Sequence, residues 1–244
     1  MKTFYSQNGF TVVELVIVII IMGIIAGVAM RQLQPTIENS RYEQTLREME
    51  NIGWAITGNP NLYSDGARTD FGYVGDVGGM PPSLDALVAN PGGFTTWKGP
   101  YMDRGLNATD FKEDAWGVTY LLSDTAVRSV GSGETLSHTV VASTSLLLSN
   151  TIEGVIINAD GTPPGALLAD SIVLRLDYPD GSGGRMFGIA SPDASGAFSI
   201  GGLPVGNHTL SMIYIPDHDT VQYTVSVLPG RTQRLDLVSP ADLW

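Results

Sequence analysis

The chain has 244 residues, with 13 Lys/Arg against 25 Asp/Glu, a formal net charge of −12, and no cysteine. That length suits one or two domains with sizeable cores. Without cysteine there is no disulfide, thiolate metal site, cysteine nucleophile or cysteine lipid anchor, and so acidic a surface repels nucleic acid, so no nucleic-acid partner is expected.

The charge is unevenly spread. Residues 1–56 are nearly balanced at −1, residues 57–150 carry −5 and residues 151–244 carry −6. The acidity reads as a solubilising exterior, with calcium binding as its main alternative.

The first element is apolar. From Leu15 to Met30 every residue is apolar or glycine, and counting from Phe10 gives the ~20 residues a membrane helix needs. Glu14 interrupts its start, where a carboxylate is costly and marks a functional residue with a partner. A secretory signal cut near Gly27-Val28-Ala29 leaves Glu14 inside an overlong apolar region. A plain uncleaved anchor leaves it unexplained. A cut after Gly9 makes Phe10 a new N-terminus, whose α-amine is mostly cationic at neutral pH. That amine would lie one helical turn from Glu14 and pair with it, within one chain or between neighbours. Pairing between neighbours would drive assembly and set axial register.

The word G-FTVVELVIVIIIMGIIAG, residues 9–27, closely resembles the class III signal of type IV prepilins and type II secretion pseudopilins. The resemblance implies cleavage between Gly9 and Phe10 by a membrane-embedded prepilin peptidase, N-methylation of Phe10, and a role for Glu14 in positioning subunits of a filament. Lys2, the single basic residue of the leader, favours an N-terminus on the cytoplasmic side.

Beyond Met30 the pattern becomes amphipathic. Leu33, Ile37, Tyr42, Leu46, Met49, Ile52 and Ile56 recur at helical spacing, with charged residues between them. One helix over 10–58 would be ~70 Å long, kinked or locally melted by Pro35 near residues 31–35 and ended by Gly58. Gly23 and Gly27 have the small-x-x-x-small spacing of close helix contacts, or are ordinary membrane-helix glycines.

Residues 59–150 are rich in turns. They predict a short helix from Ser83 to Val88 with Ser83 as N-cap, a strand over 116–122 and another over 139–148. The words PPSLDAL, WKGPY and DAWGVTYLL resemble, in order, the globular domain of the major type II secretion pseudopilin, and imply a small antiparallel sheet. That family carries an Asp/Gly-rich calcium loop after its first strand. Here the place reads SDTAVRSVGSGETLSHT, where only Asp124 and Glu134 offer carboxylates although calcium takes six to eight oxygens. They are the only calcium candidates in that loop, and no cofactor is expected.

In residues 151–244 short β-rich runs recur about every twelve residues: 152–158, 172–178, 185–190, 197–200, 208–215, 220–228 and 234–238. Seven such runs predict a β-sandwich. The words PDASGAFSIGGLPVGNHTLSM and YTVSVLPGRTQRLDL resemble the carboxypeptidase regulatory-like, transthyretin-like sandwich, which has no catalytic residues to carry over. His138, His208 and His218 are scattered, no nucleophile elbow is present, and Asp217-His218-Asp219 reads as a solvated turn. No enzyme is expected.

The expected fold is therefore α+β: a leader (1–9), a transmembrane and stalk helix (10–58), a pseudopilin-like antiparallel domain (59–150) and a seven-stranded sandwich (151–244). The expected function is a structural subunit of a type II secretion pseudopilus or type IV pilus-like filament. It would start as a single-pass inner-membrane protein with a cytoplasmic N-terminus and end in a periplasmic or surface filament, with prepilin peptidase, like copies and other pilins as partners. The alternative is a single-pass anchored adhesion or carbohydrate-binding protein that never polymerises.

Overall fold

The computed structural model describes residues 9–64, 66–103, 105 and 110–240; Lys2 and residues 1–8 of the expected leader lie outside them. The contacts divide the chain into two units, one up to Gln44 and one from Thr45 onward.

Helix α1 (Val12–Thr57) runs through both without interruption. Every residue from 12 to 57 is helical, so the local melting expected at Pro35 does not occur; a proline removes one bond from a long ladder, and the flanking turns hold. In the first unit the apolar residues face outward: Met22 is 65% exposed and Leu33 57%. In the second unit the last turns of α1 change character, and Thr45, Met49, Ile52, Ala55 and Ile56 are buried. The helix stops where expected. Gly58 adopts φ +80°, its N–H bonds to Trp54 O at 2.7 Å, and a Cβ there would meet the backbone of Asp70.

A two-stranded hairpin follows, β1 (Tyr63–Ser64) and β2 (Ala67–Arg68), then helix α2 (Gly72–Val77), ended by Gly78 in the left-handed conformation. The predicted helix at 83–88 is a 3-10 turn, Leu84–Leu87; Ser83 holds the N-cap position but its side chain makes no capping bond. A second 3-10 turn spans Asp110–Lys112. The strand predicted over 116–122 shrinks to a bridge between Glu113 and Thr119 and to β3 (Leu121–Leu122). The cause is Asp114, whose carboxylate takes the N–H groups of Trp116 (3.0 Å) and Val118 (2.9 Å), with Gly117 at φ +78° between them. Strands β4 (Ala126–Ser129) and β5 (Leu136–Thr139) complete the antiparallel meander β3-β4-β5. The strand predicted over 139–148 is instead the end of β5 and a helical turn, α3 (Ser145–Leu148), opened by bonds from Leu146 and Leu147 to Ser143 O and Thr144 O. A short apolar run such as LLL carries no period that separates strand from helix.

From Asn150 the described residues form eight strands where the spacing predicted seven: β6 (Asn150–Ile157), a short helix α4 (Gly165–Leu168), β7 (Ile172–Pro179), β8 (Arg185–Ala190), β9 (Ala197–Leu203), β10 (Gly206–Tyr214), β11 (Asp219–Val227), β12 (Thr232–Arg234) and β13 (Leu237–Val238). One sheet is antiparallel, in the order β11-β10-β7-β8; in the other, β6 lies between β9 on one side and β12 and β13, both parallel to it, on the other. The run predicted at 234–238 thus falls into two pieces. Leu235 O occupies the space where a Cβ on Gly154 would stand, and Asp236 Oδ1 accepts the Val155 N–H that would otherwise extend the ladder.

The described residues form two hydrophobic cores. Ile152, Ile172, Leu174, Leu210, Met212 and their neighbours fill the sandwich. Met49, Ile56, Tyr73, Val77, Leu87, Val127 and Leu147 fill the other, which also takes Val205 from the β9–β10 turn. The two regions are tied by backbone: Gly181 N to Val77 O (2.8 Å), Thr95 N to Gly183 O (2.8 Å) and Val205 N to Leu147 O (2.7 Å). Gly78 lies so close to Pro179 O that no side chain would fit between them.

Candidate functional site

Gly9 and Phe10 precede α1 and are exposed, Phe10 by 81%. Among the described residues nothing lies within 4 Å of where a Cβ on Gly9 would stand. The same open space surrounds Gly23 and Gly27.

Glu14 has a local partner that the sequence reading missed. Thr11 is the residue before the helix, and its Oγ1 accepts the Glu14 N–H at 3.3 Å; Glu14 Oε2 in return accepts the Thr11 N–H at 3.2 Å and the Thr11 hydroxyl at 3.3 Å. This reciprocal pair is a capping box, and its signal, Thr-x-x-Glu before an apolar run, was present in FTVVELV. The carboxylate thus satisfies two donors at a helix end and sits at the positive pole of the helix dipole. This arrangement is intrachain and is made with the Gly9–Phe10 peptide bond intact.

The calcium candidates do not converge. Asp124 lies in the β3–β4 turn and Glu134 in the β4–β5 turn, at opposite ends of β4, and both are exposed. Among the described residues no group of three or more His, Asp or Glu side chains is placed to hold a metal ion. The carboxylate that does gather ligands in this region, Asp114, is buried and fully used inside the protein: besides Trp116 and Val118 it accepts Ser129 Oγ (2.5 Å) and the Gly131 N–H (3.1 Å).

Trp97, Tyr101 and Tyr120 of the middle region pack against neighbouring residues. Tyr101 meets Tyr73 and Trp97 edge-on, each at 5.7 Å, donates its hydroxyl to Asp76 at 3.0 Å, and has its pKa pushed up by burial. Trp97 Nε1 donates to Ala86 O at 2.8 Å. Tyr120 donates to Glu48 at 2.7 Å, and burial again raises its pKa. Arg68, nearly buried, donates to Thr57 O (2.7 Å), the last carbonyl of α1, and to Gly58 O (3.1 Å) just beyond it; burial pulls its pKa down against the pull of Asp70. Of the histidines, His138 lies beside Gly53, His218 stands in the β10–β11 turn at φ 60°, and His208 is buried with Nε2 2.8 Å from Pro204 O.

Comparison with known proteins agrees with the N-terminal geometry. Residues 5–30 match the prokaryotic N-terminal methylation motif. The chain is 31% identical over 100 residues to the type II secretion system core protein G of Xanthomonas campestris pv. campestris, a match covering 39% of this chain and 57% of that protein. Among solved structures, the dioxygenase domain of a dioxygenase–carbohydrate-binding protein fusion from Streptomyces sp. SirexAA-E matches at 15% identity and TM-score 0.29 over 41% of this chain and 84% of that one. BcpA, the major pilin subunit of Bacillus cereus, matches at 11% identity and TM-score 0.25 over 51% and 41%. At such scores neither structural match bears on the function of this chain. Residues 5–30 thus carry an N-terminal methylation motif on a helix long and apolar enough to cross a membrane, and a 100-residue stretch of the chain is similar to a type II secretion core protein. The chain spans little more than half the length of that curated relative.

Proposed function

We propose that this chain is a non-enzymatic structural subunit of a type II secretion pseudopilus or type IV pilus-like filament. In this reading prepilin peptidase cuts between Gly9 and Phe10 and Phe10 is N-methylated. The chain begins in the inner membrane with its N-terminus in the cytoplasm, then enters the filament by packing α1 against the helices of like copies and other pilins. The observation that carries the reading is the capped apolar helix. From Val12 through Ile37 its large apolar side chains are half to four-fifths exposed within the chain, apart from residues 31–32, whose side chains lie outside the described set. Surface of that kind needs lipid or neighbouring helices to cover it. The open notches at Gly23 and Gly27 are compatible with close approach by another helix.

The capping box favours a second reading, in which Glu14 only starts the helix and the chain is an anchored single-pass protein that never polymerises. Glu14→Gln separates the two. Glutamine serves a capping box as well as glutamate but cannot pair with an ammonium group as an anion. The expected result is normal cleavage, normal membrane level and no filaments by electron microscopy; abundant normal filaments from this variant would leave Glu14 with the capping role alone.

A further inference from the structure

The two sheets of the sandwich treat their edges differently. In the β9/β6/β12/β13 sheet one edge is cut into pieces of three and two residues, and the other, β9, contains Gly201-Gly202 and pairs with β6 through a register shift. These are the devices by which proteins blunt exposed edges. The sheet β11-β10-β7-β8 has none of them. β8 keeps unbroken register on β7 over six pairs and β11 on β10 over nine. Neither strand contains proline or lysine. Met186, Phe187 and Ile189 on β8 are 45–60% exposed.

We propose that these two edges meet between copies: β8 of one subunit pairs with β11 of the next. Four antiparallel strands leave β8 and β11 running in opposite senses, so a copy added without inversion continues the antiparallel alternation. The proposed register continues the existing rows. Phe187 lies across from Asp177, Asp177 from Thr209 and Thr209 from Thr224; Ile189 likewise continues through Arg175 and Ser211 to Gln222. Extending these rows places Thr224 of the next copy beside Phe187, Gln222 beside Ile189 and Tyr223 beside Gly188. Sheet twist turns the step into a screw, and a head-to-tail contact of that kind builds helical assemblies.

Charge and area select a second copy held nearby as the occupant. Two chains of −12 repel, yet β8 carries only Arg185 and β11 only Asp219. Six residues a side fall far short of the ~20–30 that a stable free interface uses, so the contact needs the high effective concentration that tethering gives. The filament reading above supplies that tether through α1, and this proposal rests on it.

The cysteine-free background makes the test direct. Full-length chain carrying Phe187→Cys with Thr224→Cys is expressed, filaments are confirmed by electron microscopy, and the sample is oxidised and run on a non-reducing gel. The expected result is a ladder of dimers, trimers and longer multimers, reproduced by Ile189→Cys with Gln222→Cys. It is absent from each single-cysteine variant and lost when Glu14→Gln removes the filament. Filaments without a ladder overturn the edge contact and leave the filament reading intact. Dimers from Phe187→Cys alone show β8 pairing with itself and overturn it too, as does a ladder that persists in a Glu14→Gln sample shown by electron microscopy to hold no filaments. Absence of filaments from the parent chain defeats the filament reading and this contact with it.

Discussion

At Glu14 one carboxylate oxygen accepts from both the Thr11 N–H and the Thr11 hydroxyl, and a similar economy recurs at Asp114, where one buried side chain holds four donors. Truncating Asp114 to Ala strands those donors. Chemical denaturation should show a loss of about 2–4 kcal/mol, since hydrogen bonds to a charged group contribute about 1.5–3 kcal/mol each and the stranded partners are partly buried; a loss under about 1 kcal/mol would mean that water replaces the carboxylate. Arg68→Met should cost about 1–3 kcal/mol by leaving Thr57 O and Gly58 O without their guanidinium donor, measured the same way. His208 predicts a pH effect. Burial holds its pKa below the usual histidine value, with the hydrogen bond to Pro204 O opposing it. The unfolded chain therefore binds the proton first, so the histidine's contribution to stability is complete above the ordinary histidine pKa of about 6.5 and is lost as pH falls below it. The denaturation midpoint should fall between pH 7.5 and 5.5, and His208→Gln should flatten that slope; an unchanged slope would place the titration elsewhere. The motif-level reading named Gly9, Phe10 and Glu14 from their spacing along the chain alone. It missed the Thr11 partner by weighing the distant amine before the neighbouring hydroxyl, and it named Asp124 and Glu134 because a linear string does not show that a hairpin carries its two turns to opposite ends.

At the scale of elements, the sequence reading succeeded where period and punctuation agree. The helix end at Gly58 and the first six runs after residue 150 were legible because glycine turns and two-residue alternation need no tertiary partner to be seen. It failed where one side chain overrides propensity, as Asp114 does to residues 116–118, and where an apolar run has no period, as at 145–148. The division of the last strand was invisible because its cause, Gly154, is some eighty residues away. That cause is testable. Gly154→Ala puts a methyl group into Leu235 O and must push β12 and β13 off β6. We expect loss of cooperativity or a destabilisation above about 2 kcal/mol, in the range of overpacked cores; a variant as stable as the parent would show that the two pieces shift freely.

At the scale of the whole molecule, the region from Thr45 onward behaves as one compact unit with two cores. Val205 of the sandwich closes the core around α2 and α3, and Gly78 and Gly181 let two backbones touch. The sandwich is therefore a fixed part of that unit, and limited proteolysis of the detergent-solubilised chain should produce no separate fragment ending near residue 150. The central claim lies at the other end of the chain, where an apolar helix with a capped acidic start becomes the means by which copies associate. Mass spectrometry of the N-terminal peptide from membranes of the native host tests it most directly. The account predicts a mature chain beginning at Phe10 and heavier by one methyl group on its amine; a chain that still begins at Met1, or begins anywhere other than Phe10, contradicts it.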